Sequence, residues 1–251
     1  MPRANRFYSS DYIWHVTQRC HKGEFLLKLK KDKINWLKWM YKAKNEFHIT
    51  IFNYILTSNH IHLLVYCDSD ENHIARAIHL VSGKVAWDYN HRKGRKGSFW
   101  EDRYHATAIQ SGQHLLNCML YIDSNMVRAG VVKHPRDWPY GGYQEIINCK
   151  QRFTLINKKK LNFALGFEGE KIEKKYQSLL YDYLINSNFE REKCWTESIC
   201  VGNKEFVKNF QNKLNINTMR RKIIKNKDHF ILRENVNPNP YSSFFNHKKR
   251  E

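Results

Sequence analysis

The sequence predicts an α+β protein: a ferredoxin-like βαββαβ antiparallel sheet with an added tyrosine-bearing helix, followed by a mainly helical C-terminal extension. Three observations carry this expectation. Short β-branched and aromatic runs alternate with segments of helical period over the first 130 or so residues. The 251 residues are 41% hydrophobic, with 14 Phe, 14 Tyr and 7 Trp, enough to bury a core. After Tyr143 the strand-like runs give way to a Lys-rich mixture and then to helical spacing.

The elements follow in order. Residues 8–19 hold Tyr12, Ile13, Trp14, Val16 and Thr17, a strand composition. Residues 31–47 carry Ile34, Leu37, Met40, Tyr41 and Lys44 at helical spacing. Residues 49–56 (ITIFNYIL) read as a second strand, Thr57-Ser58-Asn59 as a turn, and His60 to Cys67 as a third strand. Asp68 to Asn72 offers N-cap residues for a helix reaching about Tyr89, with Ile74, Ala77, Ile78, Val81 and Val85 on one face. His91 to Gly97 (HRKGRKG) reads as a basic loop and Ser98 to Gln110 as a fourth strand. Gln113 to Arg128 reads as a helix ended by Gly130. The expected division is a first α+β unit over 1–149, a basic helical extension over 150–235 and a disordered tail over 236–251. Within the extension, Lys174 to Leu184 and Lys204 to Leu214 have helical spacing, the second behind the capping candidate Asn203. Arg220, Arg221, Lys222, Lys225 and Lys227 form a basic stretch.

Charge narrows the partners. Lys and Arg number 43 against 24 Asp and Glu, a formal net charge of +19. Such an excess attracts a polyanion, most commonly nucleic acid, through counterion release. The six cysteines form no CxxC pair, which argues against a zinc ribbon or a secreted disulfide framework. The start runs into a strand pattern rather than an apolar signal core, and no stretch reaches the ~18 apolar residues of a membrane span. The expectation is a cytoplasmic, nucleoid-associated protein.

Two constellations stand out. In His60-Ile61-His62 the strand alternation puts both imidazoles on one face, where they can chelate one divalent ion. Two ordinary histidines on a wet strand face give the same pattern. At ~100° per residue, Leu115, Leu116, Met119, Leu120, Met126 and Val127 share one arc of the 113–128 helix. Tyr121 falls opposite, with Asn125 and Arg128 on its stripe. A surface or interface tyrosine would do the same, and the wheel gives no account of Asp123.

The motifs together are more specific. Ser58-Asn59-His60-Ile61-His62-Leu63-Leu64-Val65 resembles the NHxHLL metal motif of HUH single-strand nucleases. Residues 121–130 (YIDSNMVRAG) resemble the YIxxNPVRAG helix of REP-associated tyrosine transposases, members of the one-tyrosine transposases of bacterial insertion sequences. Residues 12–19 (YIWHVTQR), 99–105 (FWEDRYH) and 137–143 (DWPYGGY) resemble that family's YHVTxR, xWxxRYH and DWPWSSY segments. The five motifs occur in the family's order over residues 8–143, and the match loosens beyond 150. Met126 replaces the usual proline, and Thr57-Ser58 the usual Met-Pro; neither position is expected to supply catalytic atoms. Loss of proline should let the helix run more regularly.

The resemblance implies a transposase/endonuclease that cleaves and rejoins single-stranded or hairpin DNA through a 5′-phosphotyrosine. It implies Tyr121 as nucleophile, a Mg²⁺ or Mn²⁺ ion held by His60, His62 and Asn125, and a monomer or homodimer. A transesterification of this kind needs no ATP, and Ser82-Gly83-Lys84 lacks the spacing of a phosphate loop. The candidate DNA-binding residues are Arg19, Arg92, Lys93, Arg95, Lys96, Arg103 and Arg128, each of which could equally be a solvated charge. Two alternatives stand beside this reading: a catalytically silent DNA-hairpin-binding regulator on the same fold, and an RNA-binding domain, which lacks the aromatic RNP strand.

Overall fold

A computed structural model describes residues 12–69, 71–148, 154–214, 221–226 and 228–234. The start of the first predicted strand, Asp70, Cys149, Arg220, Lys227 and the tail expected over 236–251 lie outside them.

The fold is α+β, built on one mixed sheet. Strands β1 (Ile13–Arg19), β2 (Thr50–Leu56), β3 (His60–Tyr66) and β4 (His105–Ile109) lie in the order β2-β3-β1-β4, each antiparallel to its neighbour. Helices α1 (Lys30–Glu46) and α2 (Glu71–Lys93) pack together. Trp36, Met40 and Ala43 of α1 and Ile74, Ala77, Ile78, Val81 and Val85 of α2 are buried, the periodic apolar stripes that a two-helix layer needs to cover a sheet. Gln18 of β1 accepts a hydrogen bond from Ser82 of α2 at 2.7 Å. The even-numbered residues of β1 therefore face the helical layer. Alternation sends His15, Thr17 and Arg19 to the other face, with His60 and His62 of the facing β3.

That other face is covered by α3 (Gln113–Asp123) and α4 (Asn125–Arg128). The two are separated at Ser124, so the helix expected to run unbroken to Arg128 is interrupted even with Met126 in place of proline. The ladder is disturbed by the side chains there. Ser124 Oγ donates to the Tyr121 carbonyl at 3.1 Å, and Arg128 reaches the same carbonyl at 3.3 Å.

Three further boundaries differ from expectation. The basic segment 91–97 is helical as far as Lys93 and turns only at Gly94, whose φ of 58° suits a residue without a Cβ. The fourth strand begins at His105 rather than Ser98. Phe99 and Trp100 instead anchor a bend, with Phe99 buried and Trp100 Nε1 donating to the Ser82 carbonyl at 3.0 Å. The extension supplies strands as well as helices. Behind α5 (Tyr143–Ile147), which closes the first unit, the extension adds α6 (Lys158–Leu165), α7 (Ile172–Asn186), α8 (Cys194–Glu197) and α9 (Lys204–Lys213), and it contributes β5 (Cys200–Gly202), β6 (Arg221–Asn226) and β7 (His229–Glu234). β5 runs parallel to β4, and β7 and β6 continue the sheet to seven strands. The predicted cap Asn203 accepts from Phe206 N at 2.8 Å at the start of α9.

The residues 137–143 protect a sheet edge. Tyr140 O accepts from Leu56 N at 2.9 Å, Gly142 N donates to Tyr54 O at 2.7 Å, and Trp138 Nε1 donates to Leu56 O at 2.9 Å. This satisfies backbone groups of β2 that would otherwise be open to another chain. A Cβ on Gly142 would lie 2.2 Å from Asn53 Oδ1, so the approach requires glycine.

Candidate active site

The site begins with the pairing of β1 and β3. Their register sets Arg19 opposite His60 and Thr17 opposite His62. His60 Nδ1 lies 2.7 Å from Asn59 Oδ1, a pure acceptor, so His60 Nδ1 carries its proton. Thr57 Oγ1 stands 2.9 Å from the same nitrogen. His62 Nδ1 lies 2.9 Å from Nε2 of His15, whose own Nδ1 is 2.8 Å from the carbonyl of Trp195 on α8. Both histidines of the pair thus use Nδ1 for support and turn Nε2 the same way. They meet the side-chain amide of Asn125 on α4, whose Nδ2 is 3.5 Å from His60 Nε2 and 3.2 Å from His62 Nε2.

Burial holds the imidazoles neutral. It lowers His15 to about 4 and His60 to about 4, the latter helped by the positive charges of Arg19, Arg128 and Arg191. His62, also crowded by His15 and His60, is pushed well below the ordinary range. Neutral imidazole is the ligand form.

Among the described residues, no group of three or more His, Cys, Asp or Glu side chains is placed to hold a metal ion. The donor set present is two imidazoles and one amide. It fits a divalent cation: two bare Nε2 atoms converge on one amide, and a half-turn of that amide presents its oxygen in place of its nitrogen. His60, His62 and Asn125 are the residues that would hold the ion.

Tyr121 lies beside this pair, its ring centroid 6.0 Å from that of His62. It is not on an exposed polar face, as the wheel suggests, but only 2% exposed. The extension covers the side of α3 that the sheet does not: Trp195 stands 6.5 Å from the Tyr121 ring, and Tyr176 of α7 reaches Asp123. Burial raises the phenol's pKa, while Arg128 and Arg191 pull it back. Arg128 places its guanidinium 4.2 Å over the ring centroid. Asp123, unexplained by the helix pattern, accepts from Asn53 Nδ2 at 3.0 Å and from the Tyr176 hydroxyl. Burial raises its carboxyl to about 7.

The basic candidates divide. Arg19 and Arg128 flank the site. Arg19 is exposed and 3.8 Å from Glu101. Arg92 is ion-paired with the buried Asp32 of α1. Arg95 donates to the Ser98 carbonyl at 2.8 Å and lies 3.7 Å from Glu24. Lys93, Lys96 and Arg103 are exposed. Two contributors escaped the sequence reading. His15 sits in a strand with no partner visible in its own segment. Thr57, set aside as a departure with no catalytic atom, touches the imidazole of His60.

Residues 8–125 match the family described as "Transposase IS200 like". A protein of Haemophilus influenzae described as a REP-associated tyrosine transposase is 26% identical over 129 residues, 47% of this chain and 73% of that protein. A solved structure described as a REP-associated tyrosine transposase bound to a REP hairpin matches with a TM-score of 0.50 at 20% identity. The match covers 59% of this chain and 86% of that one. The matched residues make the first half of the chain similar to IS200-like transposases. Among the described residues, no helix is long and apolar enough to cross a membrane.

Proposed function

We propose that the protein is a metal-dependent single-strand DNA transposase/endonuclease that cleaves and rejoins hairpin-associated DNA through a 5′-phosphotyrosine. The observation that carries this reading is the convergence of His60 Nε2 and His62 Nε2 on Asn125, with the Tyr121 ring 6.0 Å from His62. The strand order β2-β3-β1-β4 with α1 and α2 on one face supports the ferredoxin-like plan on which the motifs were read. The division into a catalytic unit over 1–149 and an extension over 150–235 belongs to the same proposal.

Tyr121 Oη attacks phosphorus; the Oη–P bond forms, the P–O3′ bond breaks, and the phenolic proton passes in net terms to the departing 3′ oxygen. A 3′-OH reverses the step, so the exchange conserves one phosphodiester and needs no nucleotide. Arg128 and Arg19 supply positive charge beside the reacting phosphate. A bound Mg²⁺ or Mn²⁺ supplies charge neutralisation at the phosphate oxygens. The net charge of +19 and the solved relative bound to a REP hairpin support hairpin DNA as the substrate. A cytoplasmic, nucleoid-associated monomer or homodimer accords with that substrate.

Burial of Tyr121 favours one second reading, a DNA-hairpin-binding regulator without chemistry. One experiment separates the two. Hairpin oligonucleotides incubated with the protein and Mg²⁺ or Mn²⁺ should give an SDS-stable protein–DNA adduct. Tyr121→Phe should abolish it, and His62→Ala should reduce it by about 10²-fold or more while hairpin binding persists. Tight hairpin binding with no adduct under any of these conditions would establish the regulator instead.

A further inference from the structure

The family motifs name the histidine pair but not what fixes its tautomers, and one half of that support comes from the C-terminal extension. We propose that His15 is a positioning residue of the active site: it relays the hydrogen bond of the Trp195 carbonyl to His62 and so fixes which nitrogen of His62 is bare. This inference rests on the reading of His60, His62 and Asn125 as a metal site.

Donor and acceptor roles follow from the end of the chain of bonds. A carbonyl oxygen only accepts, so the 2.8 Å contact between His15 Nδ1 and Trp195 O requires the proton on His15 Nδ1. In a neutral imidazole, His15 Nε2 is then a lone pair. It faces His62 Nδ1 at 2.9 Å. His62 Nδ1 therefore carries the proton, leaving the lone pair on Nε2, the atom 3.2 Å from the Asn125 amide. The reverse polarity needs both nitrogens of His15 protonated. That would be a cation at 0% exposure whose hydrogen-bond partners among the described residues are a carbonyl and another imidazole.

The Trp195 carbonyl is itself held. Trp195 is 1% exposed, its Nε1 donates to Glu192 at 3.0 Å, and Thr107 of β4 contacts the same carbonyl at 3.3 Å. A residue 180 positions from His15 thus sets the ligand atom of His62. Supporting partners of metal-bound histidines typically contribute about 10–100-fold in metal affinity.

The test has two arms. In the metal-free wild-type protein, ¹⁵N spectra of the histidine rings should show His15 and His62 both protonated on Nδ1. A proton on Nε2 of His62 overturns the proposal whether or not the protein binds metal. The second arm titrates Mn²⁺ by electron paramagnetic resonance. His15→Phe should weaken binding about 10–100-fold. His15→Gln, whose carbonyl oxygen can still accept from His62 Nδ1–H, should stay near wild type. Unchanged Mn²⁺ affinity in a folded His15→Phe overturns the proposal. Absence of Mn²⁺ binding by wild type overturns the metal reading, while the tautomers still decide the relay. The same spectra decide it if His15→Phe does not fold.

Discussion

At the scale of single residues, the site is a problem of proton placement. To hold a metal through Nε2, as proposed, each imidazole of the pair needs its proton kept on Nδ1. Asn59 and Thr57 do this for His60, at 2.7 and 2.9 Å from its Nδ1. Asn59 is the closer and, being an acceptor there, the more discriminating. Asn59→Ala is therefore expected to weaken Mn²⁺ binding about 10–100-fold, and Thr57→Val by less, measured on proteins with matched thermal melts. Of these supports, Asn59 is visible in the sequence as part of its motif. His15 also lies in a motif, but its duty does not show there, and Thr57 lies in none, because a hydroxyl in a turn and a histidine in a strand acquire meaning only from what they face.

At the scale of elements, charged groups that look alike in sequence have different duties. Arg92 and Lys96 belong to one basic run, yet Arg92 closes an ion pair on buried Asp32, whose second carboxylate oxygen has no hydrogen-bond partner among the described residues. Removing Arg92 leaves that carboxylate buried without its ion-pair partner, so Arg92→Ala should lower stability by about 1–3 kcal/mol in urea unfolding. Lys96→Ala should leave stability unchanged and reduce the salt slope of DNA binding by about 1. Helix α5 offers a sharper case. Glu145 accepts from Tyr54 hydroxyl at 2.6 Å and from the backbone of Leu155 and Ile156 at 2.8 and 3.0 Å. It thus ties β2 to the start of the extension. Glu145→Ala strands a hydroxyl and two amides in a buried setting and should cost about 3–5 kcal/mol by the same measurement.

At the scale of the whole molecule, the extension completes the sheet and covers the tyrosine. β5 pairs with β4, Phe206 and Phe210 of α9 pack edge-on against Tyr12, and Trp195 covers Tyr121. A chain ending at Asn148 would expose that edge and those aromatics together. It should aggregate, or melt well below the full chain, when compared by light scattering and calorimetry. The sequence by itself determined most of the first unit: periodic apolar runs specified strands β1 to β4, helices α1 and α2 and the helix of Tyr121, because strand alternation and helical period are local rules. It also named His60, His62, Tyr121 and Asn125 through their motifs. Only the tertiary structure decided that Tyr121 is buried, that Asp123 is bound by Asn53 and Tyr176, and that His15 links α8 to His62. It alone revealed strands β5 to β7 as well. Three residues of Cys-Val-Gly or a basic run such as 221–226 carry no strand signal of their own; pairing with a distant edge gives them one. These features depend on contacts between residues as many as 180 positions apart, which no local pattern encodes.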